Sequence, residues 1–246
     1  MRFVVVLAVC LGLGCGKPSE SAPPAPVAPP VVTVAGTATI VGKVTFRGVA
    51  PKLNPLKMAA DPFCESTHGG TVANEELLVN ADGALRNVFV YIKAGINGSY
   101  PAPKEPVVLD QSGCLYRPRV QGMQTGQTLL IRNSDDTLHN IHALGENNPA
   151  FNVGQPARGM ESKKVLAQPE VMLRFKCDVH PWMSGYIGVV PHPFYAVTSD
   201  AGQFTLKALP SGTYVVEAWH EKLGTQTANV TVADGEAKTL EFTFAP

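Results

Sequence analysis

A short segment in the second half of the chain, residues 177–183, carries a thiol, an imidazole and a thioether at intervals of three residues. On a strand, Cys177 and His180 would face opposite sides, because side chains alternate along a strand. On a regular helix the third side chain would lie well away from the first, and Pro181 would break the hydrogen-bond ladder. The segment is therefore predicted to be an irregular loop that turns all three side chains toward one point.

A further imidazole lies upstream, in the segment Leu138-His139-Asn140-Ile141-His142. His139 and His142 are three residues apart, so on a strand they face opposite sides and only one of them reaches the loop. His139 shares its face with apolar Ile141 and is the predicted ligand, which leaves His142 at the surface or behind the ligands. Two imidazole nitrogens, a thiolate and a weak thioether are the ligand set of an electron-transfer copper. The predicted metal ligands are His139, Cys177, His180 and Met183.

Both segments resemble the ligand motifs of the amicyanin branch of the blue copper proteins, or cupredoxins. Residues 177–183 are similar to its Cys-x-x-His-Pro-aromatic-Met loop, and residues 139–142 are similar to its His-Asn-Val-His. Asn133-x-Asp135 fits the turn that precedes the first ligand in cupredoxins generally. The chain departs from the family at Val179, where amicyanins and plastocyanins usually carry proline.

This resemblance covers roughly residues 105–190 and implies a Greek-key cupredoxin β-sandwich with one type 1 copper site. It also implies that the backbone N–H of Asn140 points at the thiolate sulfur. Zinc is the alternative metal, but a structural zinc site needs four firm ligands and a thioether is a poor fourth one.

Short alternating runs bounded by turns on both sides of this unit predict further strands, so the predicted fold class is all-β. Residues 197–214, with their turns at 199–202 and 209–212, resemble the carboxypeptidase-regulatory, transthyretin-like β-sandwich family. Residues 191–246 are short for a complete sandwich. Residues 37–104 and 191–246 are therefore predicted to form one sandwich into which the cupredoxin domain, 105–190, is inserted. The alternative places the N-terminal strands in the cupredoxin half and leaves a small C-terminal appendage.

The N-terminal 15 residues are predicted to be a targeting segment, with Arg2 ahead of an apolar run that is too short to span a bilayer. Cys15 at its end resembles the lipid-carrying cysteine of a bacterial lipoprotein, and the alternative is an ordinary secretory signal. Residues 16–36 are rich in proline and alanine and are predicted to be an extended tether. We therefore expect an exported lipoprotein, periplasmic or at the cell surface, held to the membrane by a lipid anchor only.

The five cysteines of the chain have separate predicted fates. Cys10 is expected to be removed with the signal segment. Cys15 is expected to carry the lipid, and Cys177 is expected to bind the metal. Cys64 and Cys114 remain, and outside the cytoplasm such a pair usually forms a disulfide. Closing this loop would stabilise the fold by about 4 kcal/mol. The alternative, metal binding by Cys64-x-x-x-His68, lacks a nearby second pair of ligands.

Charge and motifs limit the remaining classes of function. The chain has 20 basic and 20 acidic residues, so nothing indicates nucleic acid or an anionic membrane surface as a partner. No Ser/His/Asp arrangement, phosphate-binding glycine loop or Cys-x-x-Cys motif is present, and we expect a non-enzyme. The predicted function is that of an extracytoplasmic blue copper protein that carries single electrons. The alternatives are a copper-delivery protein and a structural surface β-sandwich with a vestigial site.

The expected partners are redox proteins, such as a c-type cytochrome or a periplasmic dehydrogenase. In cupredoxins that resemble this chain, the loop histidine reaches the surface through an apolar patch. Residues 105–190 contain eight basic and eight acidic side chains, so little long-range field steers a partner. Docking is therefore expected to rest on apolar contacts around Pro181 and Trp182. The alternative is that Trp182 packs inward as part of the core.

Overall fold

A computed structural model describes residues 36–246 and shows an almost entirely β protein, which confirms the predicted fold class. The predicted signal segment, Cys15 and the tether up to residue 35 lie outside the described residues. Within residues 36–246, no helix is long and apolar enough to cross a membrane. The elements in chain order are β1 (Ala38–Phe46), α1 (Pro62–His68), β2 (Phe89–Ala94), β3 (Val107–Gln111), β4 (Tyr116–Arg117), β5 (Val120–Gln124), β6 (Thr128–Asn133), β7 (His139–Leu144), β8 (Phe151–Gln155), β9 (Glu161–Val165), β10 (Glu170–Lys176), β11 (Ser184–Val190), β12 (Tyr195–Val197), β13 (Gln203–Leu209), β14 (Gly212–His220), β15 (Gly224–Val232) and β16 (Ala237–Phe244).

Strands from the two ends of the described chain form one pair of sheets, here called the outer sandwich. Its sheets have the strand orders β13-β1-β16 and β12-β2-β14-β15. β1 runs antiparallel to β13 and parallel to β16, so the first described strand lies between two of the last ones. Apolar side chains that alternate along these strands fill one shared core, which includes Ile40, Val44, Val90, Phe204, Val216 and Phe242.

The strands between residues 107 and 190 form a second pair of sheets, here called the inner sandwich. Its sheets have the orders β5-β11-β10-β7-β8 and β4-β3-β6-β9. Along β7, His139, Ile141 and Ala143 are buried, while Leu144 is exposed. The core contains Leu109, Ile131, Ile141, Phe175 and Ile187 together with the sulfur-bearing side chains of Cys177 and Met183. One end of this core therefore carries two of the predicted metal ligands.

Aromatic rings join the two sandwiches where glycines of the inner one leave room for them. A Cβ atom at Gly188 would lie 2.3 Å from the ring of Phe89, and one at Gly122 would lie 2.3 Å from the ring of Tyr195. Beside these rings, the guanidinium of Arg119 makes two hydrogen bonds, of 2.6 and 2.8 Å, to the carboxylate of Glu221. A paired arginine of this kind satisfies both charges in a buried interface.

One stretch that was expected to belong to the outer sandwich lies elsewhere. Residues 56–72, here called the cover segment, pack on the inner sandwich through a small apolar cluster. A disulfide between Cys64 and Cys114 fastens the segment to the loop between β3 and β4. The cluster consists of Leu56, Met58, Phe63, Cys64, Val72, Cys114, Leu115 and Trp182.

The cover segment contains α1, whose two ends have strong local signals. Asp61 is the N-cap, and its Oδ1 accepts hydrogen bonds from the backbone N–H groups of Phe63 (2.8 Å) and Cys64 (3.1 Å). Pro62 occupies the first turn, where its missing N–H costs nothing. Gly69 ends the helix with a φ of 59°, a conformation that favours glycine. These caps fix a helix of only seven residues over the end of the inner sandwich.

Candidate metal centre

Three of the four predicted ligands converge at one end of the inner sandwich. His139 begins β7, Cys177 directly follows β10, and His180 lies in the loop before β11. The two Nδ1 atoms are 2.9 Å apart, and the Sγ of Cys177 lies 3.8 Å from the Nδ1 of His180. All three side chains are at most 2% exposed. Their ligand atoms lie within 4.8 Å of one another, which is a spacing that one metal ion spans.

The loop from Cys177 to Met183 is irregular, as its spacing predicted, and two backbone hydrogen bonds close it. The N–H of Met183 donates to the carbonyl of His180 (2.9 Å), and the N–H of Cys177 donates to the carbonyl of Met183 (3.3 Å). The Met183 side chain is fully buried in the same core cluster as Cys177. Met183 therefore packs in the core that also contains the thiol, and its role as the fourth ligand stays a prediction.

Each ligand imidazole is held by a carboxylate on its far nitrogen. The Nε2–H of His139 donates to Asp135 (2.9 Å), and the Nε2–H of His180 donates to Asp61 (3.0 Å). A hydrogen bond on Nε2 fixes the ring and leaves Nδ1 as the atom that meets a metal. The two carboxylates therefore orient both rings so that their Nδ1 atoms face each other.

The protonation of the two imidazoles differs because their surroundings differ. Burial opposes protonation of His139, but Asp135 and Cys177 outweigh it and raise the pKa of that ring. Burial also lowers the pKa of His180, and the positive charge on His139 adds to this effect despite the hydrogen bond to Asp61. One positive charge at the imidazole pair is thus favoured over two.

The thiol is prepared to lose its proton. Burial raises the pKa of Cys177, but hydrogen bonding to His139 and to the backbone N–H groups of Asn140, His180 and Val179 outweighs it, so that the pKa is lowered. The N–H of His180 lies 3.4 Å from Sγ. Since the thiolate is the form that binds a metal, this pocket favours the ligand form.

The two supporting carboxylates are also tied to the disulfide. Asp61 accepts the amide N–H of Cys64 (3.1 Å), and Asp135 accepts the amide N–H of Cys114 (2.8 Å). Burial raises the pKa of Asp61, but its hydrogen bonds from Thr137, His180 and the helix amides outweigh this and lower the pKa to about 2. Each carboxylate thus bridges one ligand histidine and one disulfide cysteine. We call this pair of bridges the carboxylate staple.

The loop histidine, His180, does not reach the surface as the resemblance implied. His180 is only 2% exposed, because the cover segment lies over it and places Cys64 Sγ 3.7 Å from its Nε2. Trp182 is half-buried between the inner core and the cover cluster, and its indole N–H donates to the carbonyl of Cys114 (3.0 Å). Of the two predicted docking residues, Pro181 and Trp182, only Pro181 is exposed.

Asp61 is the residue of the centre that the sequence did not reveal. An aspartate before a proline is a helix-start signal and marks α1, but it carries no information about a histidine 119 residues away. Asp135 was recognised only as part of a turn, because its contacts with Cys114 and His139 depend on the folded loop. No local pattern in the chain records either carboxylate as a partner of the ligands.

His142 lies on the opposite face of β7 from His139, at the surface, and contacts Asp178. Its Nδ1 lies 3.0 Å from Asp178 Oδ2, which also accepts hydrogen bonds from the side-chain amides of Asn140 (3.1 Å) and Asn152 (2.7 Å). The carboxylate beside the ligand thiolate therefore points out of the centre and into a polar surface network.

Replacing Asp61 by asparagine should raise the reduction potential of a copper-loaded centre. The oxidised centre carries one more positive charge than the reduced one, so a nearby carboxylate favours the oxidised state. We expect a change on the order of 100 mV for loss of one charge across an imidazole ring. Asparagine is as good an N-cap as aspartate, so α1 should persist. A redox titration of the visible absorption measures the change.

The control is Asp234→Asn, which removes an exposed carboxylate in the turn between β15 and β16. Its potential should equal that of the wild type. Equal shifts in both variants would show that Asp61 acts only through the net charge of the protein.

Comparison with solved structures finds weak, partial similarity to cupredoxins. A Cu-containing nitrite reductase from Thermus scotoductus is 21% identical over 40% of this chain and 25% of its own, with a TM-score of 0.32. An amicyanin variant in the Cu(I) state is 17% identical over 34% of this chain and 81% of its own, with a TM-score of 0.31. A purple cupredoxin from Nitrosopumilus maritimus is 22% identical over 34% and 97%, with a TM-score of 0.29. This chain thus spans a quarter of the length of the nitrite reductase.

A search of curated proteins finds no match to this chain. The family model of the carboxypeptidase regulatory-like domain matches residues 189–245, which contain β12 to β16 of the outer sandwich. This match confirms that part of the resemblance seen in the sequence. Residues 189–245 are therefore a carboxypeptidase regulatory-like domain.

Proposed function

We propose that this chain is an extracytoplasmic type 1 copper protein that carries single electrons between redox partners. The observation that carries the proposal is the buried convergence of one thiol sulfur and two Nδ1 atoms, from Cys177, His139 and His180. With Met183 these residues would hold the metal, and their two nitrogens, thiolate and thioether fit copper. When bound, copper supplies a one-electron couple between Cu(II) and Cu(I).

The contribution of the protein is a fixed and dry ligand set. The carboxylate staple holds both imidazoles, the backbone amides around Cys177 favour the thiolate, and the burial of all three side chains excludes water. The other two clusters of candidate ligands among residues 36–246 each include a disulfide cysteine, so neither offers a free thiolate. These observations favour a single site.

The chemistry of the site supports a carrier rather than an enzyme. The two carboxylates that contact the imidazoles, Asp61 and Asp135, hydrogen-bond to those rings and to backbone amides instead of facing a substrate. The disulfide suits an oxidising compartment, which agrees with the proposed export and lipid anchoring through Cys15. A c-type cytochrome or a periplasmic dehydrogenase remains the proposed kind of partner.

The test is addition of Cu(II) to the purified chain. We expect one equivalent to bind and to produce an intense visible thiolate-to-copper absorption that disappears on reduction and returns on reoxidation. A copper-delivery protein would instead yield its copper quickly to a chelator. Failure to bind copper, or binding without this absorption, would overturn the proposal.

A further inference from the structure

The surface beside Cys177 differs from the sealed surface beside His180. Strands β7, β8 and β10 lie side by side there, with His142 paired to Asn152 on one side and to Lys176 on the other. Their outward side chains and the residue after Cys177 form what we call the thiolate face. It consists of His142, Asn152, Gly154, Arg174, Lys176 and Asp178.

Two short connections lead from the thiol sulfur to this face. Asp178 is covalently bonded to Cys177 through the backbone. In addition, Sγ lies 3.2 Å from Asn140 Oδ1, and the Nδ2 of Asn140 donates to Asp178 Oδ2 (3.1 Å). Electronic coupling decays less steeply through covalent and hydrogen bonds than across gaps. The partly exposed Asp178 and His142 side chains are thus well connected to the ligand sulfur.

The opposite route, through His180, ends inside the protein. The outward nitrogen of His180 meets Asp61, and the sulfur of Cys64 lies 3.7 Å from it. A partner at that side would be separated from the imidazole by the cover segment. The two sides of the centre therefore differ in how closely another protein can approach.

The thiolate face is also open in shape. Gly154 lies opposite Asn140 in the register of β7 and β8, and a Cβ atom placed there would meet no atom within 4 Å. The missing side chain leaves open space on β8, opposite the residue whose side-chain amide contacts the thiol sulfur. A bulky side chain at this position would fill that space without touching a ligand.

The charges of the face indicate its partner. Lys176 pairs with Asp178 (2.8 Å), whereas the exposed Arg174 donates to the neutral hydroxyl of Ser184 (3.3 Å). The face therefore carries a net charge of one positive unit, contributed by Arg174. Such a surface is complementary to carboxylates on a partner.

We propose that electrons enter and leave through the thiolate face, and that the partner is a one-electron redox protein that presents carboxylates around its own exposed centre. The inference rests on the proposed copper function and assigns it a surface. In each transfer one electron leaves the reduced centre and reduces the partner by one unit. No proton moves, and no bond is formed or broken.

The test uses hexacyanoferrate(III), an anionic one-electron oxidant that becomes hexacyanoferrate(II), as a probe in stopped-flow oxidation of the reduced, copper-loaded chain. Two matched pairs of variants separate the two surfaces. Arg174→Glu on the thiolate face is matched by Lys57→Glu on the cover segment, since both residues are exposed and the net charge changes equally. Gly154→Trp is matched by Gly70→Trp, where a Cβ also meets no atom within 4 Å.

We expect Arg174→Glu to slow the reaction about three- to tenfold at low ionic strength, and this difference to shrink at high salt. Gly154→Trp should slow it at both ionic strengths, and both cover-segment variants should react like the wild type. The reduction potential of each variant is measured as well. If all the potentials are equal, the differences in rate reflect how easily the oxidant reaches the centre and not the driving force.

The inference is overturned if either thiolate-face variant reacts as fast as its matched cover-segment variant. A wild-type chain without the visible absorption would instead overturn the proposed function. If the visible absorption is normal but the oxidation rate does not change in the thiolate-face variants, only the proposed electron-transfer route is overturned.

Discussion

Cys177→Ser should abolish the visible absorption of the copper-loaded chain and leave a folded protein. The absorption arises from charge transfer between a thiolate and copper, and a serine hydroxyl does not provide it. The hydroxyl is nearly isosteric with the thiol, so the loop should still close through the bonds between Cys177, His180 and Met183 backbone groups. Absorption spectra with added Cu(II), together with circular dichroism, measure the two expectations.

Met183→Leu is the matched control for this change, because it also removes a sulfur from the same buried cluster. A thioether is a weak axial ligand that tunes the potential rather than holding the metal. The absorption should therefore persist with an altered reduction potential. A Cys177→Ser protein that keeps its colour, or a Met183→Leu protein that loses all copper, would show that the ligands are assigned wrongly.

Replacing Cys64 and Cys114 together by alanine should lower the free energy of unfolding by about 4 kcal/mol. The disulfide closes a loop of 50 residues, and the chain-entropy model gives this value for such a loop. The loss is a large part of the stability of an ordinary domain. Equilibrium denaturation with urea measures it on the metal-free chain.

The same loss should appear when the wild type is denatured in the presence of a reductant, which serves as the control for the substitutions themselves. The cover segment is expected to loosen first, since apart from the disulfide it is held by one small apolar cluster, the bonds of Asp61 and the contact of His68 Nε2 with the carbonyl of Gly113 (2.7 Å). A change below about 1 kcal/mol would show that the segment packs just as well without its covalent link.

Local sequence patterns predicted the strands and the ligand loop, because both features depend only on residues that are close together in the chain. Alternation of apolar side chains predicted strands such as those of the outer sandwich, because a half-buried strand like β1 needs that period. The spacing of Cys177, His180 and Met183 predicted a loop in the same way, since neighbouring residues alone determine it. These features require no knowledge of distant parts of the chain.

The position of the cover segment, in contrast, depends on residues far away in the chain, and the sequence did not predict it. Its contacts join Asp61 to His180 and Cys64 to Cys114 across 119 and 50 residues. The pairing of β16 with β1 is equally distant, because the two strands lie at opposite ends of the described chain. Cysteine counting suggested the disulfide, yet it did not indicate that the bridge would lie against a metal ligand.

If copper binds as proposed, the carboxylate staple makes the disulfide and the metal parts of a single equilibrium. Asp61 and Asp135 each accept hydrogen bonds from a ligand imidazole and from the amide of a bridged cysteine, so whatever orders one group orders the other. Linkage is reciprocal: the factor by which the disulfide tightens copper binding is also the factor by which bound copper disfavours opening of the disulfide. A loaded protein would then keep its bridge under reducing conditions that open the bridge of the metal-free chain.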